Sequence, residues 1–184
     1  MSQVIVEIER LFQQRGEELY GGEAVSQLEH ALQCAALAEK ESGDAADIAA
    51  ALLHDVGHLL EPDAAGSLAE NATDARHEHL GQRYLEAHFG PAVTEPVRLH
   101  VAAKRYLCSV ESNYLETLSD ESLRSLRLQG GPMNEAEVAE FAALPHFERA
   151  VALRRRDDAA KIVGEVTPSI GHFLPYLEQC FVHR

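Results

Sequence analysis

The chain has 184 residues, 46% of them hydrophobic and 25% charged, the balance of an ordinary globular domain with one core. Its 16 Lys and Arg stand against 30 Asp and Glu, a formal charge of −14. That field opposes nucleic acid and anionic membrane surfaces, both of which need clustered cations.

No window approaches the roughly 20 apolar residues of a membrane span. The N-terminus MSQVIVEIERLFQQRG has acidic residues inside its apolar pattern and reads as a helix, not a signal peptide. The three cysteines, Cys34, Cys108 and Cys180, are far apart and form no CxxC pair. They read as thiols of a reducing compartment, and the expected location is the cytoplasm.

Val4, Ile8, Leu11 and Phe12 recur at helical spacing and predict a first helix, broken at Tyr20-Gly21-Gly22. A second helix is predicted over about 26–41, with Leu28, Leu32, Ala35 and Ala38 on one face and Gly43 at its end. A third spans about 44–53; it is alanine-rich, apolar on most sides and expected to be buried. The stretch 60–75, polar and interrupted by Pro62 and Gly66, reads as a long loop. Helices return over about 76–88, 91–106 and 119–127, the last with a capping signal at Ser119. Gly130-Gly131-Pro132 is a turn, and Asn134 with Glu137 forms a capping box for a helix through Ala142. A helix over 147–161 follows, then a loop and a last short helix within 168–184. Nothing alternates with period two for long enough to predict a sheet. The expected fold is all-α, one helical bundle over residues 1–184.

The chain contains ten histidines. His30, His54, His77 and His100 each fall on or at the end of a helical segment with an apolar face, and Asp157 follows near the end. A lone histidine in such a place is most often a core residue. An adjacent His54-Asp55 pair with these partners points instead to a metal site, since imidazole and carboxylate together suit Fe, Mn, Zn or Co. Neighbouring helical side chains diverge by about 100°, so both members of the pair can serve one point only in a groove between helices. Gly57 is expected to let the chain turn away and His58 to come back toward the site.

The pattern His30, His54-Asp55, Asp157, with LLHDVGH around the pair, resembles the metal signature of the HD-domain superfamily. That resemblance implies an all-α, HD-type domain, most of whose relatives are metal-dependent phosphohydrolases. His77 in HEHLG and His100 in LHVAAKRYL lie between the pair and the last aspartate, as in HD members that bind two metals. The strings QLEHALQCA, ALLHDVGH, HVAAKRYL, SDESL and LQGGPMNEAE are similar to those of the phosphonate-degrading HD-domain oxygenases, across about residues 20–161. The resemblance implies a mixed-valent pair of iron ions, O2 as co-substrate and cleavage of a carbon–phosphorus bond.

By that resemblance His30, His54, Asp55 and Asp157 would hold one iron, and Asp55 would bridge to a second held by His77 and His100. His58 and Lys104 would contact the phosphonate, with Ser122 and Gln129 as weaker candidates; Ser122 could equally cap its helix. Lys104 lies one helical turn after His100, although a solvated lysine is the bland alternative. Tyr20 would occupy an open iron position and Glu23 would meet the ammonium end, with the glycines between them as a hinge. The alternative is a helix start at Glu23 with Tyr20 packed as a staple. His79 rivals His77 but points elsewhere on a helix. Arg154 would pair with Asp157 or lie on the surface with Arg155 and Arg156. His88, His146, His172 and His183 fall outside every matched motif and read as surface or structural.

The expected partner is a small zwitterionic organophosphonate. The loop LLEPDAAGSLAENATDAR is acidic and lacks aromatics, with Asp63, Glu70 and Asp74 able to neutralise a permanent cation. This favours 1-hydroxy-2-(trimethylammonio)ethylphosphonate, giving glycine betaine and phosphate, over the primary amine, which would give glycine. Two other readings share the signature: a metal-dependent phosphohydrolase, and a non-catalytic ligand-binding module.

Overall fold

The computed structural model describes residues 2–20, 22–60 and 77–182. Among them eleven helices form and no sheet, as the periodicity predicts. In chain order they are α1 (Gln3–Arg15), α2 (Gln27–Glu41), α3 (Ala45–Leu53), α4 (Val56–Leu60), α5 (His77–Leu85), α6 (Pro91–Val110), α7 (Tyr114–Thr117), α8 (Asp120–Leu128), α9 (Glu135–Ala142), α10 (Phe147–Ala159) and α11 (Ile170–Cys180).

The centre of the bundle is α3, against which α2, α6, α10 and α11 pack. Ile48 through Leu53 are all buried, which the all-round apolar sequence anticipates. Each fully buried Leu or Ile here contributes about 1.5–3 kcal/mol of transfer free energy. Asp44 caps the helix, accepting from the backbone N–H groups of Ala46 and Asp47. The whole helix therefore acts as a rod whose C-terminal end carries His54.

Several predicted boundaries shift. The helix expected to end near Tyr106 runs one turn further, to Val110, because Leu107 and Cys108 pack with Tyr114 and Leu126. The one expected to reach His88 stops at Leu85; Phe89 instead bridges to Phe181 and ties the C-terminal segment down. The last two helical residues predicted for α10 are outside it, since Ala160 leaves helical geometry. The short helices α4 and α7 carried no periodic signal. The capping box of Asn134 and Glu137 forms as predicted, and Gly130 and Gly131 both adopt positive φ. The predicted loop after Leu60, the start of α5 at Arg76, Gly21 and His183 lie outside the described residues. Among the described residues no helix is long and apolar enough to cross a membrane.

Candidate metal centre

Five helices converge on one point. His30 comes from α2, His77 from the first residue of α5, His100 from α6 and Asp157 from α10. His54 is the C-cap of α3, and Asp55 lies in the break before α4. That break answers the geometric objection to an adjacent pair, because the two side chains no longer share one helix. All six side chains are buried. Gly57 serves a purpose other than the expected exit turn. It lies within α4, and a Cβ there would stand 2.0 Å from the His77 carbonyl oxygen. Only glycine lets α4 approach the start of α5 this closely.

The Asp55 carboxylate divides the imidazoles into two sets. Its Oδ2 lies 3.2 Å from His54 Nε2 and 3.8 Å from His30 Nε2. Its Oδ1 lies 3.2 Å from His77 Nε2 and 3.4 Å from His100 Nε2. Asp157 Oδ1 completes the first set, 3.4 Å from His30 Nε2. Within each set the ring nitrogens face each other, at 3.2 Å for His30 and His54 and 3.1 Å for His77 and His100.

The outer nitrogens are committed to carbonyls. His30 Nδ1 is 2.8 Å from the Ala160 oxygen, His54 Nδ1 2.9 Å from Ala51 and His100 Nδ1 2.7 Å from Val97. Each carbonyl requires a proton on Nδ1, so in the neutral ring Nε2 presents a lone pair inward. Beside His77, the buried Glu78 carboxylate lies 3.7 Å from Nδ1 and is placed to orient that ring. These facing ring nitrogens, with a buried Asp55 Oδ2 that no hydrogen bond satisfies, form an arrangement that a cation between them would complete. The residues thus fit a pair of metal ions sharing one carboxylate, with imidazole and carboxylate donors suited to iron among other transition metals.

The electrostatics agree. Burial acts to raise the carboxyls of Asp55 and Asp157, but the imidazoles around Asp55 and the Arg154 guanidinium beside Asp157 hold both well below the usual carboxylate range. Burial pushes His58 down to about 3 and also lowers His100, so both rings are neutral. At His54 burial opposes protonation, yet the Asp55 charge beside it raises the ring to about 9, so this imidazole carries a proton that a bound cation would have to displace.

Of the remaining predicted residues, His58 and Tyr20 touch the cluster, and Arg154, Ser122 and Glu23 connect to it through their neighbours. The His58 ring stacks on His77 at 4.1 Å and belongs with Asp55 and His77 to one group of ligand atoms. The Tyr20 ring stacks on His30 at 3.9 Å, with its hydroxyl 3.4 Å from Asp157 Oδ1. Burial, then the Asp157 charge, keeps that phenol protonated. Helix α2 starts at Gln27 with Ser26 as its cap, so Glu23 is not a helix start. Glu23 accepts from Ser119 Oγ at 2.5 Å and from Lys161 Nζ at 3.1 Å. Lys104 is buried and donates to Ser125 Oγ at 2.7 Å. Ser122 does not cap α8; Ser119 does, accepting from the Ser122 N–H. Ser122 Oγ instead meets Lys161 at 2.9 Å and Arg154 at 3.5 Å. Gln129 is the C-cap of α8. Arg154 takes its buried option, donating to Asp157 Oδ2 at 2.7 Å and to Asp158. Arg155 pairs with Glu111 on the surface, while Arg156 is buried against Glu41.

Sequence reasoning missed Lys161, Ser125, Tyr114 and Asp158. None sits in a matched string with a metal-type residue. It also missed that Cys34, one helical turn after His30, lies with Sγ 3.7 Å from His30 Nε2; the i, i+4 spacing carried that signal. His79 points outward, 58% exposed. His172 pairs with Glu39 and His88 stacks on Phe181, away from the cluster. His146 holds the left-handed turn that opens α10.

No family model matches the chain. Curated relatives do. The chain is 47% identical over 173 residues to the hydroxymethylphosphonate dioxygenase of Gimesia maris, covering 94% of this chain and 86% of that protein. It is 43% identical over 169 residues to the 1-hydroxy-2-(trimethylamino)ethylphosphonate dioxygenase (glycine-betaine-forming) of Leisingera caerulea, covering 92% and 86%. An uncharacterized protein of Acanthamoeba polyphaga mimivirus is 34% identical over 178 residues, covering 94% and 81%.

Proposed function

The chain belongs to the family of phosphonate dioxygenases, and from that premise we propose that it cleaves the carbon–phosphorus bond of a 1-hydroxy-2-ammonioethylphosphonate with O2. The trimethylammonio form, giving glycine betaine and phosphate, is the substrate we favour. The balance is closed: carbon and phosphorus each gain one oxygen atom from O2, and one proton is released. Residues 1–184 are read as one HD-type, cytoplasmic domain.

The observation that carries the reading is the divided carboxylate. Asp55 faces a His30 and His54 pair with one oxygen and a His77 and His100 pair with the other. With Asp157 on the first set, these residues would hold two iron ions. Two irons bound there would supply the redox chemistry that activates O2 and the substrate's C1–H bond.

The chain's own residues do the rest. Lys104, His58, Ser122 and Gln129 bind and orient the phosphonate. Glu23 faces the ammonium. Tyr20, flat on His30, covers the cluster and keeps water from it until substrate arrives. Arg154 fixes Asp157 through a charged hydrogen bond. The acidic stretch of sequence with Asp63, Glu70 and Asp74 supports the permanently charged amine over the primary one. A second reading, hydroxymethylphosphonate as substrate, is favoured by the name of the Gimesia maris relative.

Phosphate release from the trimethylammonio substrate, the primary amine and hydroxymethylphosphonate, each with and without O2, tests the proposal. The expected result is O2-dependent release, fastest with the trimethylammonio form, by enzyme holding about two irons per chain. Equal release without O2, or with a single zinc, would make the chain a hydrolase and overturn it. A primary amine preferred by about tenfold, 1.4 kcal/mol in barrier, would overturn the choice of substrate.

A further inference from the structure

Cys34 lies one helical turn after His30 on α2, and its side chain is fully buried. Its Sγ is 3.7 Å from His30 Nε2. The donor atoms of His30, Cys34 and His54 all fall within 4.8 Å of one another. Both imidazoles turn Nε2 inward, because the Ala160 and Ala51 carbonyls hold their Nδ1 atoms. Asp55 Oδ2, buried and without a hydrogen bond, stands 3.2 Å from His54 Nε2 and 3.8 Å from His30 Nε2. The proposed iron ligands include no sulfur, so the thiol is a donor that the oxygenase chemistry leaves unused.

We propose that His30, Cys34 and His54, with Asp55 Oδ2 as fourth donor, form a thiophilic metal site. It would take Zn2+ or Cd2+, overlapping the proposed first iron position and closing it.

The spacing already matches such an ion. Zinc binds thiolate sulfur at about 2.3 Å and imidazole nitrogen at about 2.0–2.1 Å, in a tetrahedron. The edges of that tetrahedron are then about 3.6 Å from sulfur to nitrogen and about 3.3 Å from nitrogen to nitrogen. The chain has 3.7 Å for the first and 3.2 Å for the second. A cysteine that only fills the core would need neither the inward aim nor that spacing. The Asp55 edge fits at His54 and is about 0.5 Å long at His30, which a turn of the carboxylate closes.

The two donor sets differ in kind. Iron would take the Asp55 and Asp157 carboxylates with the two imidazoles. A thiophilic ion exchanges Asp157 for Cys34, since thiolate selects zinc and softer ions whereas carboxylate suits harder ones. Asp157 then keeps its bond to Arg154, so the swap strands no charge. The Cys34 thiol and the His54 ring each lose a proton to solvent as the dication enters. Four protein donors make a closed zinc site and leave no position for O2 or substrate. Inhibition by such ions rests on the phosphonate dioxygenase reading above; the preference for them does not.

The test titrates metal-free protein, handled without O2, with Co2+, Zn2+, Cd2+ and Fe2+. Wild type is compared with Cys34→Ala and with Cys34→Ser, which keeps the volume but not the sulfur; Tm checks folding. Co2+ reports the thiolate directly, through sulfur-to-cobalt charge-transfer absorption in the near ultraviolet. Wild type is expected to show that absorption and both variants to lack it. Both should also hold Zn2+ and Cd2+ at least about tenfold less tightly, the lower end of what an outer-shell partner contributes, while Fe2+ uptake stays at the wild-type level. In iron-loaded wild type, Cd2+ should suppress O2-dependent phosphate release.

A wild type whose cobalt spectrum lacks the absorption overturns the site, whatever the variants do. So does absorption that survives in Cys34→Ala, which would come from Cys108 or Cys180. An equal fall in Zn2+ and Fe2+ affinity would make Cys34 a packing residue and overturn it as well. Cys34-dependent zinc and cobalt binding in a chain without O2-dependent phosphate release sustains the site and overturns the dioxygenase reading instead.

Discussion

The metal cluster and the rim beside it use the same kinds of residue and satisfy them in opposite ways. In the cluster, ring nitrogens face ring nitrogens, in two imidazole pairs at 3.1 and 3.2 Å, beside a carboxylate oxygen that no hydrogen bond satisfies. In the rim, charges face partners: Glu23 meets Lys161, Lys104 meets Ser125 and Arg154 meets Asp157. The cluster has facing nitrogens and a carboxylate oxygen that a cation could complete, so its geometry suits a metal. The rim is complete by itself, so any ligand must displace something. Affinity in the first place comes from construction, and selectivity in the second from exchange.

Breaking the cluster should have the largest effect. Asp55→Ala removes the carboxylate that faces both imidazole pairs. Both metals should be lost, with retention weakened well beyond the ~100-fold typical of an outer-shell change, and O2-dependent phosphate release should vanish. His100→Ala touches one pair only and should leave about one metal per chain by elemental analysis. If Asp55→Ala keeps one full equivalent, the carboxylate does not unite the two sets.

Gly57→Ala attacks the same region through the backbone. The new Cβ would press on the His77 carbonyl at 2.0 Å, and α4 or α5 must move. Overpacking of this kind costs about 1–3 kcal/mol, read as a fall in the denaturant midpoint. The His77 and His100 side should lose its metal first. Loss from the His30 and His54 side first would show that α4 is not what positions His77.

Tyr114→Phe probes the border of the two regions. The Tyr114 hydroxyl accepts from Arg154 Nε at 3.2 Å and donates to Asp158, and Arg154 in turn holds Asp157. Leaving a buried guanidinium N–H unmet costs about 1 kcal/mol or somewhat more. The expected outcome is a modest stability loss and several-fold weaker metal retention on the His30 side alone. An equal loss from both sets would mean that Arg154 acts on the fold and not on Asp157.

The cluster was legible in the sequence because its residue types are rare on apolar faces and recur at helix positions. His54-Asp55 stood out for that reason, and the two further histidines extended the expectation from one metal to two. The rim was legible only in part. Tyr20, Glu23, Lys104 and Ser122 entered through resemblance, while Lys161 is an ordinary lysine after a helix until the fold brings it to Glu23, 138 positions away. Gly57 was noticed, but its reason was not, since a close approach between α4 and α5 leaves no trace in local spacing. The all-α architecture followed from period alone; the breaks that form α4 and α7 did not, because helices of five and four residues are too short to show one.

The smallest effect should come from the scaffold beneath both regions. Asp44 caps α3 at the end opposite His54, accepting from Ala46 and Asp47 at 3.0 and 3.1 Å, and it also receives Arg149 at 2.9 Å. The Arg149 hydrogen bond holds its carboxyl below the ordinary range. The folded value therefore lies below the unfolded one, and the contribution is present above pH ~3.9 and lost as pH falls through the folded value. Because the carboxylate is half exposed, salt should screen the Arg149 part. Asp44→Ala should cost about 1 kcal/mol, lowering Tm by roughly 2–4 °C, whereas Asp44→Asn keeps the cap and loses only the charge pair. Metal content should not change in either, since α3 stays helical and His54 keeps its place. Metal loss that tracks the Tm shift would mean that the cluster has no geometry of its own beyond the stability of this helix, and the contrast with the rim would fail.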